Sequence, residues 1–454
     1  VDPVIEMLGR AFAQYLRPAG VDRVTIGYDA RLSSPRLRDA LARGLTASGV
    51  DVIDIGLCPT PALYFSLYHL KPGGGIMITG SHNPAEFNGF KLCVGKDTIY
   101  GAEIQNLRRI MEKIQITEDR QQTTDKSGKI SRHPIIADYV GYLKGRFLEY
   151  HDVPLSVVLD SGNGTAGLAA PDVLRAMGCR VIELYSEPDG RFPNHHPDPT
   201  IPKNLEALIS MVKNEHADFG VAFDGDSDRI GVIDEQGTVL WGDQLMVLFS
   251  RDILRDRPGA TFVSEVKCSQ TMYDDIRKHG GKAIMWKTGH SLIKAKMKET
   301  GAALAGEMSG HIFFADRYFG YDDAIYAACR VVELLKKTRQ QKKVKEPLSA
   351  LIADLPKTFN TPEIRFDCTD ALKFKVVEQV RHIYAAPEKI SLPVREVITV
   401  DGIRAVFEKG WGLIRASNTQ PVLVMRFEAV DQASLQAIRD LMEEQVRKVI
   451  TGLS

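Results

Sequence analysis

One local pattern constrains the fold more than any other feature, because it occurs three times along the chain. An apolar β-rich run is followed by a small polar loop, an amphipathic helix and a second β-rich run, over residues 24–55, 155–184 and 261–286. Strand–helix–strand alternation is typical of βαβ units on parallel or mixed sheets. Since the three copies are unevenly spaced, the pattern predicts three similar α/β domains rather than a short-period solenoid.

The C-terminal part of the chain has a different pattern of predicted strands and helices, which indicates a fourth, smaller domain. A helix that ends in Lys336–Arg339 leads into the charged run Gln340–Lys343, which we expect to be a solvated domain exit. Strand-like segments follow, and a predicted helix over Ala433–Ile450 closes the chain, a mixture that favours an α+β fold. With boundaries in the polar stretch 117–131 and near residues 237–242, we expect domains over residues 1–130, 131–237, 238–350 and 351–454.

Charge and composition exclude several classes of function. The 454 residues carry 58 basic and 58 acidic side chains, so we expect neither a nucleic acid nor an anionic membrane as the main partner. No apolar run approaches the ~18 residues of a membrane span, and the start shows no signal-peptide pattern. The six cysteines form no CxxC pair, which indicates a reducing cytoplasm rather than a zinc motif or disulfide framework. Because the chain begins at Val1 rather than Met, we expect that N-terminal residues are missing from it.

A serine in a glycine- and asparagine-rich loop is the first candidate for chemistry. The segment Thr79–Pro84 follows an apolar run that stops abruptly, so backbone N–H groups around Ser81 can face an anion. An Asn-Gly turn could return Lys91 toward this serine. A Ser-His pair alone is more often a capped loop. Because neighbours in an extended chain point opposite ways, we do not expect His82 to act as a base for Ser81, and a hydrolase triad is poorly supported.

Three carboxylates alternate in the segment Asp224–Arg229, directly after a predicted strand. In an extended segment Asp224, Asp226 and Asp228 would share one face, which predicts that they converge on one hard cation. An EF-hand loop is excluded because Arg229 occupies the sixth position, where that loop needs glycine, and a strand follows. We expect Mg²⁺ rather than Ca²⁺, because a phosphate partner would complete its oxygen shell.

Two further loops carry weaker signals. In the loop Gly306–His311, an extended backbone would place Glu307, Ser309 and His311 on one face, where they suit the vicinal hydroxyls of a sugar. The loop Arg415–Pro421 offers a guanidinium, two hydroxyls and an amide between two predicted strands, which suits a phosphate. An ordinary polar turn explains either loop about as well.

Two lysine-containing segments support an anionic ligand without defining one. Lys267 follows the first strand of the third βαβ copy, and Lys287–His290 precedes a predicted helix over residues 291–297. Helix N-termini with nearby cations favour anions, although surface lysines are common.

Taken together and in this order, the motifs resemble those of the α-D-phosphohexomutase family over essentially the whole chain. The segment Thr79–Pro84 resembles the family's phosphoserine loop, Asp224–Arg229 its Mg²⁺ loop, and Arg415–Thr419 the phosphate-binding loop of its fourth domain. The family normally opens with a strand of the pattern Phe-Arg-x-Tyr-Asp-x-Arg-Gly, and no such segment precedes Val1. The loop that contains Met308 is most similar to the bacterial phosphomannomutase/phosphoglucomutase branch.

The resemblance implies a fold and a reaction. The four domains would surround a central cleft, and a hexose 1-phosphate of mannose or glucose would be interconverted with the 6-phosphate through a phosphoserine enzyme and a hexose 1,6-bisphosphate. Ser81 would carry the phosphoryl group and, with Asp224, Asp226 and Asp228, bind Mg²⁺. Arg229 and Lys91 would supply positive charge, and Lys91 or His311 would act as general acid or base. The substrate-binding residues implied are Lys267, Gly289, His290, Glu307, Met308, Ser309, Gly310, His311, Arg415, Ala416, Ser417, Asn418 and Thr419.

Three alternatives to this reaction stay open. A metal-dependent phosphatase usually needs a histidine-rich site for two metals, which the 11 histidines do not visibly supply. A non-catalytic sugar-phosphate sensor would have no reason to keep both the serine loop and the aspartate triplet. Phosphoglucosamine mutase is the closest rival, because only Met308 argues against it. We expect hexose phosphates as the partners and a monomer, with an oligomer left open.

Overall fold

The structure, a computed structural model, describes residues 1–117, 127–417 and 420–453. The chain forms two compact units, each built from two separate segments. The first unit contains Val1–Asp252 and Ser309–Ile352, and the second contains Ile253–Met308 and the chain from Ala353 onward. Of the predicted boundary stretch 117–131, residues 118–126 lie outside the described residues.

The first sheet contains the serine loop. Its strands are β1 (Arg23–Tyr28), β2 (Asp51–Leu57), β3 (Gly74–Ile78), β4 (Phe90–Val94), β5 (Asp97–Thr98) and β6 (Ile130–Arg132). Their order is β5-β4-β3-β1-β2-β6, with β4 antiparallel to β3 and β1 parallel to both of its neighbours. The helices are α1 (Asp2–Leu16), α2 (Ser34–Ala47), α3 (Thr60–His69), α4 (Ala102–Thr117) and α5 (Ile136–Arg146).

Close helix packing stabilises this part of the first unit. Apolar side chains of α1 and α2 join those of β1 and β3 in one buried cluster. The two helices approach so closely at Gly9 and Gly44 that a Cβ at Gly44 would overlap the backbone carbonyl of Glu6. Only glycine fits at such a backbone contact.

The second sheet contains the aspartate loop. Its strands are β7 (Leu155–Asp160), β8 (Cys179–Leu184), β9 (Phe219–Phe223), β10 (Ile230–Asp234) and β11 (Val239–Leu240), and its helices are α6 (Ala170–Ala176) and α7 (Glu206–Asn214). The strand order is β11-β10-β9-β7-β8. Strands β7, β8 and β9 are parallel, whereas β9 and β10 are antiparallel and are joined by residues 224–229. Because β9 is buried along its whole length, the carboxylates that follow it begin inside the protein.

The third set of elements corresponds to the third βαβ copy. It comprises α8 (Gly242–Asp256), β12 (Thr261–Glu265), α9 (Gln270–Lys278), β13 (Lys282–Trp286), α10 (His290–Thr300) and β14 (Leu304–Gly306). Strand β12 is parallel to both β13 and β14. Helix α9 begins where the Ser269 hydroxyl accepts a hydrogen bond from the backbone N–H of Thr271, as an N-cap does.

The chain then returns to the first unit through β15 (Ile312–Phe314) and α11 (Ala324–Lys342). Asp323 caps α11 by accepting a hydrogen bond from the backbone N–H of Tyr326 at 2.8 Å. The charged run Gln340–Lys343 is exposed, as predicted, but α11 extends through Lys342 and its last turns are not solvated throughout. Arg339 is buried against Asp218, with Nη2 and Oδ1 2.7 Å apart.

The C-terminal elements form an antiparallel sheet covered by two helices. They are β16 (Phe359–Asn360), β17 (Ile364–Asp367), α12 (Lys373–Tyr384), β18 (Val394–Ile398), β19 (Ile403–Phe407), β20 (Gly410–Ala416), β21 (Val422–Ala429) and α13 (Gln432–Leu453). The strand order is β16-β21-β20-β19-β18, with β17 also on β21. Short 3-10 helices cover Arg17–Ala19, Ala166–Leu168, Pro202–Leu205, Ser349–Ile352 and Pro387–Lys389.

The fold class predicted from the sequence is confirmed: three α/β domains with parallel or mixed sheets precede a smaller α+β domain. Among the described residues, no helix combines the length and the apolarity that a bilayer crossing needs.

Candidate active site

The serine loop connects β3 to β4 and holds Ser81 in a left-handed backbone conformation, with a φ of 47°. Non-glycine residues adopt this region rarely, and often at functional sites. The backbone N–H of Ser81 donates to Oγ1 of Thr79 at 2.8 Å. The hydroxyl of Ser81 donates to Oδ2 of Asp224, also at 2.8 Å. The serine therefore leaves its strand and meets the aspartate loop of the second sheet.

His82 lies closer to the serine hydroxyl than we expected from the sequence. Its Nδ1 is 3.2 Å from Oγ of Ser81. The expectation that the two side chains diverge was wrong, because it assumed an extended backbone and Ser81 has positive φ. Burial, helped by the positive charge of Arg229, lowers the pKa of His82 to about 3. The imidazole is therefore neutral around pH 7.

Arg31 binds the backbone of the serine loop, and this residue was not predicted from the sequence. Its buried guanidinium donates from Nη2 to the carbonyls of Ser81 and Asn83, at 2.8 and 2.6 Å, and from Nη1 to the carbonyl of Pro84. Three carbonyls of one short loop thus converge on one cation, which fixes the path of the backbone through Ser81.

Asp29 completes this support. It forms an ion pair with Arg31, with Nε and Oδ2 3.0 Å apart, and the same oxygen accepts the backbone N–H of Gly80 at 3.0 Å. A Cβ at Gly80 would overlap the guanidinium of Arg31. The only signal in the sequence is an Asp-x-Arg triplet directly after β1, where a strand end commonly carries a site.

The aspartate loop brings its three carboxylates together. Asp224, Asp226 and Asp228 are each at most 1% exposed, and one oxygen of each lies within 4.8 Å of the others. The backbone is a turn, with a φ of 64° at Ser227, rather than the extended segment that we expected. The turn closes on itself because Oδ1 of Asp224 accepts the backbone N–H groups of Asp228 and Arg229, both at 3.1 Å.

Two residues from the first sheet contact this loop. Lys91 on β4 places Nζ 2.7 Å from Oδ2 of Asp226 and also contacts Oδ2 of Asp228. Thr60, which begins α3 and was not predicted, donates from Oγ1 to Asp226 at 2.5 Å. Its backbone N–H donates to the carbonyl of Asp226 at 2.8 Å.

The charges in this cluster are strongly coupled. Burial opposes the charge of Lys91, but Asp226 and Asp228 outweigh it and hold the pKa of Lys91 well above its usual value. Burial, together with the negative charges of Asp228 and Asp226, raises the pKa of Asp224 well above its usual value. Two positive side chains, Lys91 and Arg229, therefore do not fully compensate three buried carboxylates.

The donor set fits a hard divalent cation. Oδ1 of Asp226 and Oδ1 of Asp228 are buried and accept no hydrogen bond from the described residues. Three carboxylates and the Ser81 hydroxyl, all oxygen donors, suit Mg²⁺. The buried oxygens and the uncompensated charge are both features that such a cation would satisfy.

His311 lies in the same cluster. Its Nε2 accepts a hydrogen bond from Nε of Arg229 at 2.9 Å. Its Nδ1 is 3.2 Å from Oδ2 of Asp322 and 3.6 Å from Oδ1 of Asp228. Residues 308–310 form a turn, with a φ of 91° at Gly310, so the extended loop that we predicted here is wrong. Asp322 was not predicted, because nothing in its local sequence marks it.

The first residues of the predicted sugar loop, Gly306–Met308, lie in the second unit. Oε1 of Glu307 accepts the backbone N–H of Gly289 at 2.6 Å, directly before α10, and His290 is the first residue of that helix. The backbone N–H of Met308 donates to Oε1 of Glu265 at 3.0 Å. Ser309 and Gly310 belong to the first unit, as His311 does.

Lys267 is buried in the second unit between two carboxylates. Its Nζ is 3.2 Å from Oε2 of Glu363 and 3.6 Å from Oε2 of Glu265. Burial opposes the charge of this lysine, but Glu265 and Glu363 raise its pKa. Lys267 is therefore held as a cation.

The predicted phosphate loop begins at the end of β20, also in the second unit. Nε of Arg415 donates to Oδ2 of Asp401 at 2.9 Å, and the same oxygen accepts the backbone N–H of Thr288 at 3.0 Å. Ala416 and Ser417 are buried, and the backbone N–H of Ser417 donates to the carbonyl of Val422 at 3.0 Å. Asn418 and Thr419 lie outside the described residues.

Four family models match the chain in order. They are phosphoglucomutase/phosphomannomutase α/β/α domain I over residues 2–118, domain II over 137–237, domain III over 241–359, and the C-terminal domain over 363–445. The chain belongs to the phosphoglucomutase/phosphomannomutase family. The predicted resemblance is confirmed, and the chain is an enzyme of the mutase class.

Individual members of the phosphoglucomutase/phosphomannomutase family are similar over nearly the full chain. A phosphomannomutase/phosphoglucomutase of Pseudomonas putida is 44% identical over 446 residues, which cover 97% of this chain and 91% of that protein. A phosphoglucomutase of Neisseria gonorrhoeae is 41% identical over 440 residues, 97% of this chain and 92% of that protein. The crystal structure of a family protein from Burkholderia thailandensis superposes with a TM-score of 0.89 at 40% identity and covers 100% of this chain and 94% of its own.

Proposed function

We propose that this chain interconverts hexose 1-phosphates and hexose 6-phosphates of mannose and glucose, through a phosphoserine at Ser81 and a hexose 1,6-bisphosphate intermediate. The observation that carries this proposal is the position of the Ser81 hydroxyl, 2.8 Å from Asp224 at the edge of a buried cluster of three carboxylates. The names of the similar proteins from Pseudomonas and Neisseria support the choice of sugars.

The serine loop prepares Ser81 to carry a phosphoryl group. In the proposed reaction the bond from phosphorus to Oγ breaks while a bond forms to the oxygen of the sugar's free hydroxyl, and the proton of that hydroxyl passes by way of the general acid/base to Oγ, which becomes the free serine hydroxyl. The reverse transfer follows after the bisphosphate has turned over. Arg31 fixes the loop by its backbone, so that Oγ keeps its position during both transfers. Asp224, Asp226 and Asp228, with Ser81, would hold Mg²⁺, which when bound supplies positive charge beside the transferring group.

Lys91 and Arg229 provide the protein's own positive charge at this place. Phosphoryl transfer depends mostly on positioning and on stabilisation of the oxygens of the transferring group, so buried cations are the side chains that it needs. Asp226 and Asp228 hold Lys91 as a cation, which suits it to stabilise the oxygens of the transferring group, and we assign the general acid/base role to Lys91 or His311. In the structure Nε2 of His311 is engaged by Arg229.

The residues of the second unit suit the non-reacting parts of the substrate. We assign Glu307 and Met308, with Lys267, Gly289 and His290, to the sugar and its phosphate. We also assign Ser309, Gly310 and His311, which directly follow Met308 in the chain, to the sugar. We assign the non-reacting phosphate to Arg415, Ala416, Ser417, Asn418 and Thr419.

The contacts seen in the structure support these assignments. Backbone N–H groups at the start of α10 and the guanidinium of Arg415 now bind the carboxylates of Glu307 and Asp401. Donors that bind carboxylate oxygens in this way also bind phosphate oxygens.

A coupled mutase assay tests the function. The chain is supplied with Mg²⁺, a trace of hexose 1,6-bisphosphate, and glucose, mannose or glucosamine 1-phosphate in turn, and the Ser81→Ala variant is assayed in parallel. Turnover of the glucose and mannose esters, abolished by the substitution, supports the proposal. A clear preference for glucosamine 1-phosphate would retain the mechanism and overturn the choice of sugars. No turnover of any ester would contradict the proposed function.

A further inference from the structure

Asp322 lies directly behind His311, on the loop that leads from β15 into α11. It is fully buried. Its backbone forms an isolated β-bridge with Phe313, and the next residue, Asp323, caps α11. The backbone N–H of Ala324 donates to the carbonyl of Ser227 in the aspartate loop at 3.3 Å. Asp322 is therefore held between a strand and a helix start and is tied to the candidate active site.

The contacts of His311 determine which of its ring nitrogens carries the proton. A neutral imidazole has one donor and one acceptor nitrogen, and a guanidinium can only donate. Since Nε of Arg229 lies 2.9 Å from Nε2 of His311, Nε2 must be the acceptor. The proton is then on Nδ1, which lies at ion-pair distance, without hydrogen-bond geometry, from two carboxylates: 3.2 Å from Oδ2 of Asp322 and 3.6 Å from Oδ1 of Asp228. Negative charge beside Nδ1 favours this tautomer.

The same side chains offer the geometry of a second metal site, but their charges argue against one. Asp228, His311 and Asp322 place one ligand atom each within 4.8 Å of one another. The buried carboxylates of the cluster are these two and those of Asp224 and Asp226, which makes four negative charges. Lys91, Arg229 and a single divalent cation supply four positive charges, so a second cation would leave the buried cluster with an excess of positive charge.

We propose that Asp322 is a positioning residue that acts through His311 on Arg229. It holds His311 in the Nδ1-protonated tautomer, and Nε2 then accepts the Nε–H of Arg229 and fixes the plane of its guanidinium. The backbone N–H of Arg229 is already bound to Asp224. With Nε fixed, the guanidinium of Arg229 keeps one orientation beside the aspartate loop, where its charge would stabilise the phosphoryl group that Ser81 transfers. This inference rests on the proposed function only for that last role.

Substitution of Asp322 tests the proposal by kinetics. The isosteric Asp322→Asn variant offers His311 an amide that can donate to Nδ1, which favours the Nε2-protonated tautomer. The Nε2–H of His311 would then face the Nε–H of Arg229, and neither group could accept from the other. We expect kcat to fall about 10–100-fold while KM changes less than about threefold. The control is Asp323→Asn, a change at the adjacent buried carboxylate, which faces tyrosines instead, and we expect its kcat to stay within about twofold. Equal losses in both variants would overturn the proposal.

A double-mutant cycle separates an effect through His311 from a general one. If Asp322 acts through His311, Asp322→Asn should cause no further loss of kcat in a His311→Ala background. Multiplicative losses in the double variant would mean that Asp322 acts independently of His311 and would contradict the proposal.

Nitrogen NMR of histidine-labelled wild-type protein tests the tautomer without substrate and without any Asp322 variant. The His311 signal is assigned by its disappearance in His311→Gln. We expect a protonated Nδ1 and an unprotonated Nε2, and a protonated Nε2, in a neutral or a charged ring, would overturn the proposal even if Asp322→Asn fails to fold. A wild-type chain with the expected tautomer but no mutase turnover would contradict the proposed function and not the position of the proton.

Discussion

The hydroxyl of Ser81 lies 2.8 Å from Oδ2 of Asp224, although the two residues are 143 positions apart in the chain. Ser81 follows a strand of the first sheet and Asp224 follows a strand of the second, so two separate βαβ-type domains each contribute one loop to a single cluster. The serine loop is fixed by Arg31, and the aspartate loop is fixed by its own backbone N–H groups and by Lys91. Each loop can therefore be tested separately.

Mg²⁺ should stabilise the folded protein by binding the aspartate loop. At 100 times its dissociation constant, a ligand that binds only the folded state adds about 2.7 kcal/mol to the free energy of unfolding. This corresponds to a rise in melting temperature of roughly 5–10 °C for a domain of about 150–250 residues. Asp226→Asn removes one carboxylate of the cluster and should abolish most of this rise in differential scanning fluorimetry. The matched control is Asp189→Asn, at a solvent-facing ion pair with Arg191, which should leave the rise unchanged. A rise of the same size in Asp226→Asn would contradict the assignment of the metal site.

Arg31→Lys should damage the serine loop. Lysine cannot reproduce the planar fork that holds three carbonyls and Asp29, so buried acceptors lose their partners. We expect the free energy of unfolding to fall by about 2–4 kcal/mol and kcat to fall by at least tenfold. Urea unfolding and the mutase assay measure the two effects. Arg36→Lys, at an exposed arginine on α2, is the control, and a comparable loss there would contradict a specific role for Arg31.

Arg415→Ala should weaken substrate binding more than chemistry. The guanidinium is buried and oriented by Asp401, in the position that we assign to the non-reacting phosphate. We expect KM for a hexose 1-phosphate to rise about 10–100-fold with a smaller change in kcat, since a contact made equally in ground and transition states affects KM. Arg365→Ala, on exposed β17, is the control. Unchanged KM in Arg415→Ala would remove this loop from the substrate site.

The carboxylate of Asp323 should make stability depend on pH. Burial raises its pKa to about 6, although hydrogen bonds from Tyr318, Tyr326 and Tyr139 oppose the rise. The folded state therefore binds this proton more tightly than the unfolded state, so the stability from Asp323 is full at low pH and is lost as pH rises through about 6. The carboxylate faces the hydroxyls of Tyr139, Tyr318 and Tyr321 and the backbone N–H groups of Ile325 and Tyr326.

Asp323→Asn should remove that dependence. Between pH 5 and pH 7.5 the unfolding free energy of the natural chain should fall by about 1–1.5 kcal/mol relative to the variant. Urea unfolding at the two pH values measures the difference, with Asp152→Asn, at a fully exposed carboxylate, as the control. A constant difference between the natural chain and Asp323→Asn would show that the carboxyl has an ordinary pKa.

The sequence allowed prediction of those site residues that lie close together in the chain. The alternation of Asp224, Asp226 and Asp228 after a strand predicted a cation site, and the structure brings the three together, although by a turn and not by an extended segment. The second and third strand–helix–strand copies begin and end at the predicted residues, 155–184 and 261–286, because their apolar periodicity is regular.

Residues that act from another segment could not be predicted in the same way. Arg31 is 50 residues from Ser81 and Thr60 is 166 residues from Asp226, whereas Asp322 lies on a different loop from His311. Local sequence carries no information on such tertiary contacts. The contact between Ser81 and His82 was missed for a different reason, since the prediction assumed an extended backbone and Ser81 has a positive φ.

The central claim is that Ser81 carries the phosphoryl group, and mass spectrometry of the protein tests it most directly. The chain is incubated with glucose 1,6-bisphosphate and Mg²⁺, and its intact mass and peptides are measured before and after a chase with glucose 1-phosphate. We predict one phosphoryl group on the peptide that contains Ser81, its loss to the sugar during the chase, and neither event in Ser81→Ala. Ser210→Ala, an exposed serine on α7, should behave as the natural chain does. A phosphoryl group on another residue, or full turnover by Ser81→Ala, would contradict the account.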